Sequence, residues 1–164
     1  MKRFEFLERS LAHEEVRAYG EGFRELHKVT ISGTVGQRIS IAAEFYGAAF
    51  AMATWGNRDV DVTVSLYKWT KDFESTVGAN PILRERYENA PDNSTLGVYG
   101  EEPLPAGEYL LLASDATGVI APYFNSSNAV SKGYTYIGKD EFISDLWVNV
   151  CFADKAPETP FLKC

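Results

Sequence analysis

Val60-Asp61-Val62-Thr63-Val64-Ser65-Leu66-Tyr67-Lys68-Trp69 is the stretch on which the fold turns. Val60, Val62, Val64 and Leu66 alternate with Asp61, Thr63, Ser65 and Tyr67. That period of two belongs to a strand with one face in a core and the other toward water. Its β-branched residues suit a pleated, half-buried surface. Tyr67 and Trp69 stand two residues apart, so both rings are expected on one face. A solvated face normally carries small polar residues. Two large rings there predict either a covering loop or a ligand.

Outward from this strand the text stays β. Ile39 and Ile41 share a side within residues 38–43, and Phe50 and Met52 share one within 48–54. Residues 84–90 and 95–99 flank Pro91-Asp92-Asn93, where Pro presets φ and Asp and Asn satisfy the backbone locally. Leu110-Leu111-Leu112, within 108–114, is apolar on both faces and marks a central strand buried on both sides. Residues 118–124 and 134–137 read as further strands. In the last strand Leu146, Val148, Val150 and Phe152 are expected inward, with Trp147, Asn149 and Cys151 opposite. Residues 70–81 and 103–107 read as connections.

About eight to ten short strands separated by turn signals predict an all-β fold, an antiparallel β-sandwich. Val62, Val64, Leu66, Leu110, Leu112, Val148 and Val150 are expected to be buried together. Residues 1–25 read as a short N-terminal arm packed on the domain. There Phe4, Leu7 and Leu11 keep helical spacing until Gly20 and Gly22 interrupt the pattern. Residues 26–153 form the sandwich, and 154–164, with Pro157 and Pro160, read as a C-terminal tail or linker.

The 164 residues fit one domain, and a chain of that size buries roughly 70% of its unfolded surface. A formal net charge of −7 and no basic stripe argue against nucleic acid as a partner. MKRFEFLERS is too charged for a secretory leader, and no later run is long enough to span a membrane. The chain therefore reads as soluble, with no membrane partner. Its localisation stays open, extracellular if it is a module of a secreted enzyme. Cys151 reads as a packed hydrophobe and Cys164 as a terminal thiol, with no disulfide framework.

Catalytic constellations are lacking in the sequence. His13 and His27 are too few for a three-histidine metal site, and His13-Glu14-Glu15 lacks the second histidine of a zinc-protease helix. Glu85 and Glu88 cannot share one face of a strand, as a glycosidase pair on one strand would have to. There is no nucleophile elbow and no phosphate loop. The chain is expected to bind rather than to catalyse, with no cofactor.

Aromatic residues are the informative class. A sugar presents a flat C–H face on which a ring can stack while its rim forms hydrogen bonds. Tyr67, Trp69, Tyr123, Tyr134, Tyr136, Trp55 and Trp147 are the candidates, although burial is the ordinary fate of most large rings in a sandwich. If each strand reverses the last, one end gathers Trp69, Asn125, Asn128, Lys132 and Tyr134, with Tyr67 and Tyr123 leading to it. The other end gathers Trp55, Asn57, Arg58, Asp92 and Asn93. The denser first group gives the expected ligand-binding set: Tyr67, Trp69, Tyr123, Asn125, Asn128 and Tyr134. Trp69 is expected to be partly exposed as a stacking platform. Asn93-Ser94-Thr95 and Asn125-Ser126-Ser127 match the N-glycosylation acceptor.

VSLYKW (64–69), ENAPDN (88–93), EPLPAGEYLLLAS (102–114), the spaced GY-Y-G of 133–138 and DLWVNV (145–150) together carry a resemblance. Across roughly residues 36–153 the chain resembles jelly-roll, galactose-binding-like β-sandwich domains, similar to the carbohydrate-binding modules of bacterial glycoside hydrolases. The resemblance implies a non-catalytic module that binds an oligo- or polysaccharide, accessory to a neighbouring enzyme domain. It also implies a possible structural Ca²⁺, for which Asp145 with Glu44 is a conceivable pair, although solvated surface charge explains both carboxylates. The alternative is a structural β-sandwich that makes inter-domain or protein–protein contacts without binding sugar.

Overall fold

The structure, a computed structural model, describes residues 8–10, 33–54, 56, 59–125, 134–143, 145–146 and 148–153. Its strands form two main antiparallel sheets packed as a β-sandwich. One sheet has the order β1 (Glu8–Ser10), β13 (Val148–Phe152), β3 (Phe45–Ala53), β6 (Ser94–Leu104), with β8 (Ala121–Pro122) also paired to β3. The other has the order β11 (Asp140–Ile143), β10 (Tyr134–Ile137), β2 (Val35–Ile41), β7 (Gly107–Ser114), β4 (Val62–Lys68), β5 (Leu83–Tyr87). A short pair, β9 (Phe124–Asn125) with β12 (Asp145–Leu146), stands apart.

Alternation builds the core as the sequence predicts. Val62, Val64 and Leu66 of β4 join Ile39 and Ile41 of β2, Phe50 and Met52 of β3, and Leu146, Val148, Val150 and Phe152 in one buried cluster. Each such side chain contributes about 1.5–3 kcal/mol on leaving water. Gln37 is the polar member of the inner side of β2. Its Oε1 accepts from Thr135 Oγ1 at 3.0 Å and from the Leu146 N–H at 2.9 Å. A buried amide so satisfied is tolerated, and it ties β2 to β10 and β12.

Four expectations change. Leu110 and Leu112 are buried, but not with Val64: they belong to a second cluster on the outer face of the six-stranded sheet. Leu111, Tyr109 and Ala113 take the inner positions of β7. β7 is indeed central and covered on both sides; the cover on its outer side sets the parity. Second, the outer face of β4 does not meet water, since Thr63 and Ser65 are buried.

Third, the connection after Trp69 contains a short helix, α1 (Phe73–Val77). Asp72 caps it by accepting from the Ser75 N–H at 2.8 Å, which meets one of the orphan donors of a helix start. Buried Thr76 donates its hydroxyl to the Asp72 carbonyl at 2.7 Å and accepts from the Thr70 N–H at 3.1 Å. Fourth, β6 continues through Pro103 to Leu104. A proline is acceptable there because β6 is an edge strand. The arm and the tail lie outside the described residues except for β1, which pairs with β13.

Candidate functional site: an aromatic-floored pocket on the outer sheet face

Cross-strand register assembles the site. Tyr134, Arg38, Leu110 and Tyr67 stand opposite one another in one row across β10, β2, β7 and β4. The next row holds Glu141, Tyr136, Gly36, Leu112 and Ser65. Gly36 is required in that row, since a Cβ there would lie 2.9 Å from Leu112 Cδ1 and 3.0 Å from the Leu111 carbonyl oxygen. The missing side chain lets the leucines lean over β2.

Trp69 and α1 close over these rows. Trp69 is tethered by its N–H to the Glu108 carbonyl at 3.0 Å, and it clusters with Leu110, Leu112 and Tyr136. Phe73 stacks on Tyr136 with centroids 5.1 Å apart and planes 21° apart. On its other flank Tyr136 meets Trp69 at 5.6 Å and 34°. These contacts lie in the range where ring pairs add to simple burial. The Arg38 guanidinium lies 4.4 Å from the centre of a Trp69 ring and 5.5 Å from that of Tyr134. Its Nη2 donates to Glu108 Oε1 at 2.7 Å. The arginine is thus held both by ring faces and by a carboxylate.

A pocket of about 370 Å³ opens beside this cluster. Arg38, Trp69, Tyr136 and Phe73 line its floor, and Lys71, Asp72, Glu74, Lys139 and Glu141 line its rim. The Tyr136 hydroxyl donates to Glu141 Oε2 at 2.6 Å. Burial, and after it this carboxylate, push the Tyr136 phenol well above its ordinary range, so it stays a neutral donor. Asp72 titrates below the usual carboxylate value, held there first by the Ser75 backbone N–H and then by the Ser75 side chain and Lys71. The arrangement offers ring surface with hydrogen-bonding groups of both signs around it. That suits recognition of a small polar ligand.

Tyr67, Trp69 and Tyr134 are brought together around Arg38 and Leu110. Tyr123 is not among them. Its hydroxyl bonds Asn93 Oδ1 and its N–H bonds the Ala51 carbonyl, at the opposite end of the sandwich. The stretch read as one strand, 118–124, is broken into β8 and β9, and Tyr123 between them is held beside Asn93 and Ala51. Asn125 pairs with Asp145 through β9 and β12. Asn128, Lys132, Trp55, Asn57, Arg58 and Trp147 lie outside the described residues.

The exposed platform expected at Trp69 is not found. The residue is 8% exposed, covered by Arg38 and by the cluster that includes Phe73 and Val77. The apolar cluster and a guanidinium claim the ring before any ligand does. Sequence reading missed Phe73, Arg38, Lys71, Glu74, Lys139 and Glu141. Asp72, a capping residue ahead of Phe73 with Gly78 closing the helix, was the available signal.

A larger cleft, about 640 Å³, lies at the other end beside Gly56, Asn89, Ala90, Pro91 and Asp92. There Asp92 accepts from the Thr54 and Gly56 N–H groups at 2.6 and 2.9 Å. Its carboxylate is spent on holding the turn, and among the described residues no aromatic ring lines the cleft. Size alone does not make it the better site. Among the described residues there is no group of three or more His, Cys, Asp or Glu placed to hold a metal ion. Compared with family models and with curated proteins, the chain matches none.

Proposed function

We propose that this domain is a non-catalytic carbohydrate-binding module, and that its sugar occupies the pocket between α1 and the β10–β11 turn. One observation carries the reading: an aromatic floor ringed by charged hydrogen-bonding side chains on the outer face of a sheet. Phe73 is the ring best placed to meet a ligand. It is half-buried, one side is stacked on Tyr136, and it lines the pocket. Tyr136 and Trp69 behind it are rigid backing rather than contact surface. A pyranose would lay its C–H face on Phe73 and direct hydroxyls to Lys71, Glu74, Lys139 and Glu141. In this reading the domain serves a neighbouring enzyme domain by holding it on its polymer.

A glycan array probed with the chain tests the proposal. Binding to a defined glycan is expected, and Phe73→Ala should remove it while the far-ultraviolet circular dichroism of the sandwich is kept. Glu74→Ala supplies an independent check, because Glu74 is exposed and its loss should weaken binding without touching the ring cluster. An array without any signal, or Phe73→Ala and Glu74→Ala variants that bind as well as the parent, would sink the assignment.

A further inference from the structure

We infer that the sugar taken by this pocket is uncharged, and that the pocket turns away uronic, sulfated and amino sugars. The inference rests on the carbohydrate reading above and adds to it the electrostatic class of the ligand.

Among the described residues, the pocket lining carries three cations, Arg38, Lys71 and Lys139, and three carboxylates, Asp72, Glu74 and Glu141. Their hydrogen bonds do not upset this balance. Asp72 accepts from the Ser75 N–H and Glu141 from the Tyr136 hydroxyl, and a neutral donor leaves a carboxylate its charge. Lys71 acts on Asp72 and helps to hold its titration low. Arg38, the most buried of the three cations, brings a counter-charge of its own, since Glu108 meets it at 2.7 Å. No surplus of positive charge is left to attract an anion.

The signs are also interleaved. The link from β4 and the first turn of α1 carry Lys71, Asp72 and Glu74, and the β10–β11 hairpin carries Lys139 and Glu141. Each element bordering the pocket thus offers both signs. A sugar carboxylate or sulfate would approach Asp72 and Glu74 on one element or Glu141 on the other. A sugar ammonium would approach Lys71 or Lys139. Like charges brought together in a site that sheds water raise the cost of the wrong ligand. A hydroxyl carries no such cost, because it donates to a carboxylate while accepting from a lysine. Adjacent hydroxyls of one ring use this mixture fully, and the C–H face beneath them meets Phe73.

The test uses the full chain on an array that presents neutral glycans beside their uronate-, sulfate- and amine-bearing counterparts. Signal is expected on the neutral members, about tenfold or more above the charged ones. Raising salt from about 50 to about 500 mM should change it by less than about twofold, because no net charge is neutralised on binding. Glu74→Lys moves the lining from three cations and three carboxylates to four and two. It should weaken the neutral signal and admit uronates, with a signal that salt now removes. Glu74 is exposed, so the far-ultraviolet circular dichroism of the sandwich should be kept. Binding to charged glycans that equals or exceeds binding to neutral ones overturns the inference and leaves the carbohydrate reading standing. A neutral signal that falls about tenfold with salt does the same, and so does a Glu74→Lys variant that still excludes uronates. A wholly silent array overturns both.

Discussion

The hydroxyl of Tyr87 satisfies both backbone groups of Gly97: it donates to the carbonyl at 2.6 Å and accepts from the N–H at 3.1 Å. Gly97 stands opposite Ala49 in the β3–β6 pair, with its amide groups directed to the open edge of β6. Tyr87 closes β5 in the other sheet. One phenol therefore blunts an exposed edge and fastens the two sheets along the same side of the sandwich. Gly97 itself has no room for a side chain, since a Cβ would lie 2.5 Å from that of Ala49.

Tyr87→Phe should accordingly cost about 1–2 kcal/mol, because two part-buried backbone groups lose their partner while the ring is kept. The midpoint of a urea titration reads this directly. A shift worth less than about 0.3 kcal/mol would show that water replaces the phenol at no cost.

Removing Gln37 tests the buried amide. Gln37→Ala leaves the Leu146 N–H and the Thr135 hydroxyl without the oxygen that both now share. A loss of about 1–3 kcal/mol is expected. Amide exchange at Leu146 should accelerate more than exchange in β3, to which Gln37 makes no hydrogen bond. Uniform acceleration would argue against a local cause.

Trp69→Ala should destabilise the fold, by about 3–5 kcal/mol, and Leu110→Ala by about 2–4 kcal/mol. Both belong to the outer cluster, and each substitution opens a cavity under α1. Being in contact, their effects should not add. A Trp69→Ala protein that melts with the parent would restore the exposed-platform picture that the burial of this ring contradicts.

Asp72 gives a pH dependence of known sign. Its folded-state pKa is lowered, chiefly by the Ser75 N–H, from an ordinary value of 3.8. The folded state therefore prefers the carboxylate. The stabilisation is fully present above that ordinary value and is lost as pH falls through the lower, folded value. Exchange of the α1 amides should quicken in that acid window before the sandwich strands respond. Asp72→Asn should abolish the acid step while still capping the helix. An unchanged acid step in that variant would assign it to another carboxylate.

Much of the fold was legible because alternation is a local property. Val62, Val64 and Leu66, and likewise Val148, Val150 and Phe152, declare an inner face from spacing alone, and the structure buries each of them in the main core. Leu110-Leu111-Leu112 announced a strand covered on both sides. It could not announce which leucine faces which side, because that depends on whether something covers the outer face. The cover is Trp69 and α1, and a five-residue helix buries too few residues to leave a periodic signal.

Little of the pocket was legible: Trp69 and Tyr136 stood out as rings, but nothing in the sequence set them beside Arg38 and Phe73. Its floor comes from β2, β10, the end of β4 and α1, set side by side by the strand order β11-β10-β2-β7-β4-β5. Arg38 meets Tyr134 across a separation of 96 residues only because β2 pairs with β10 in one register. A one-residue slip would turn Arg38 into the core and Gln37 into the pocket. By itself the sequence determined that the chain folds as an all-β sandwich, and which residues of β4 and β13 fill it. Only the tertiary structure decided that Phe73, Lys71 and Lys139 line one pocket together with Trp69, because strand order and register are set by contacts between segments far apart in the chain.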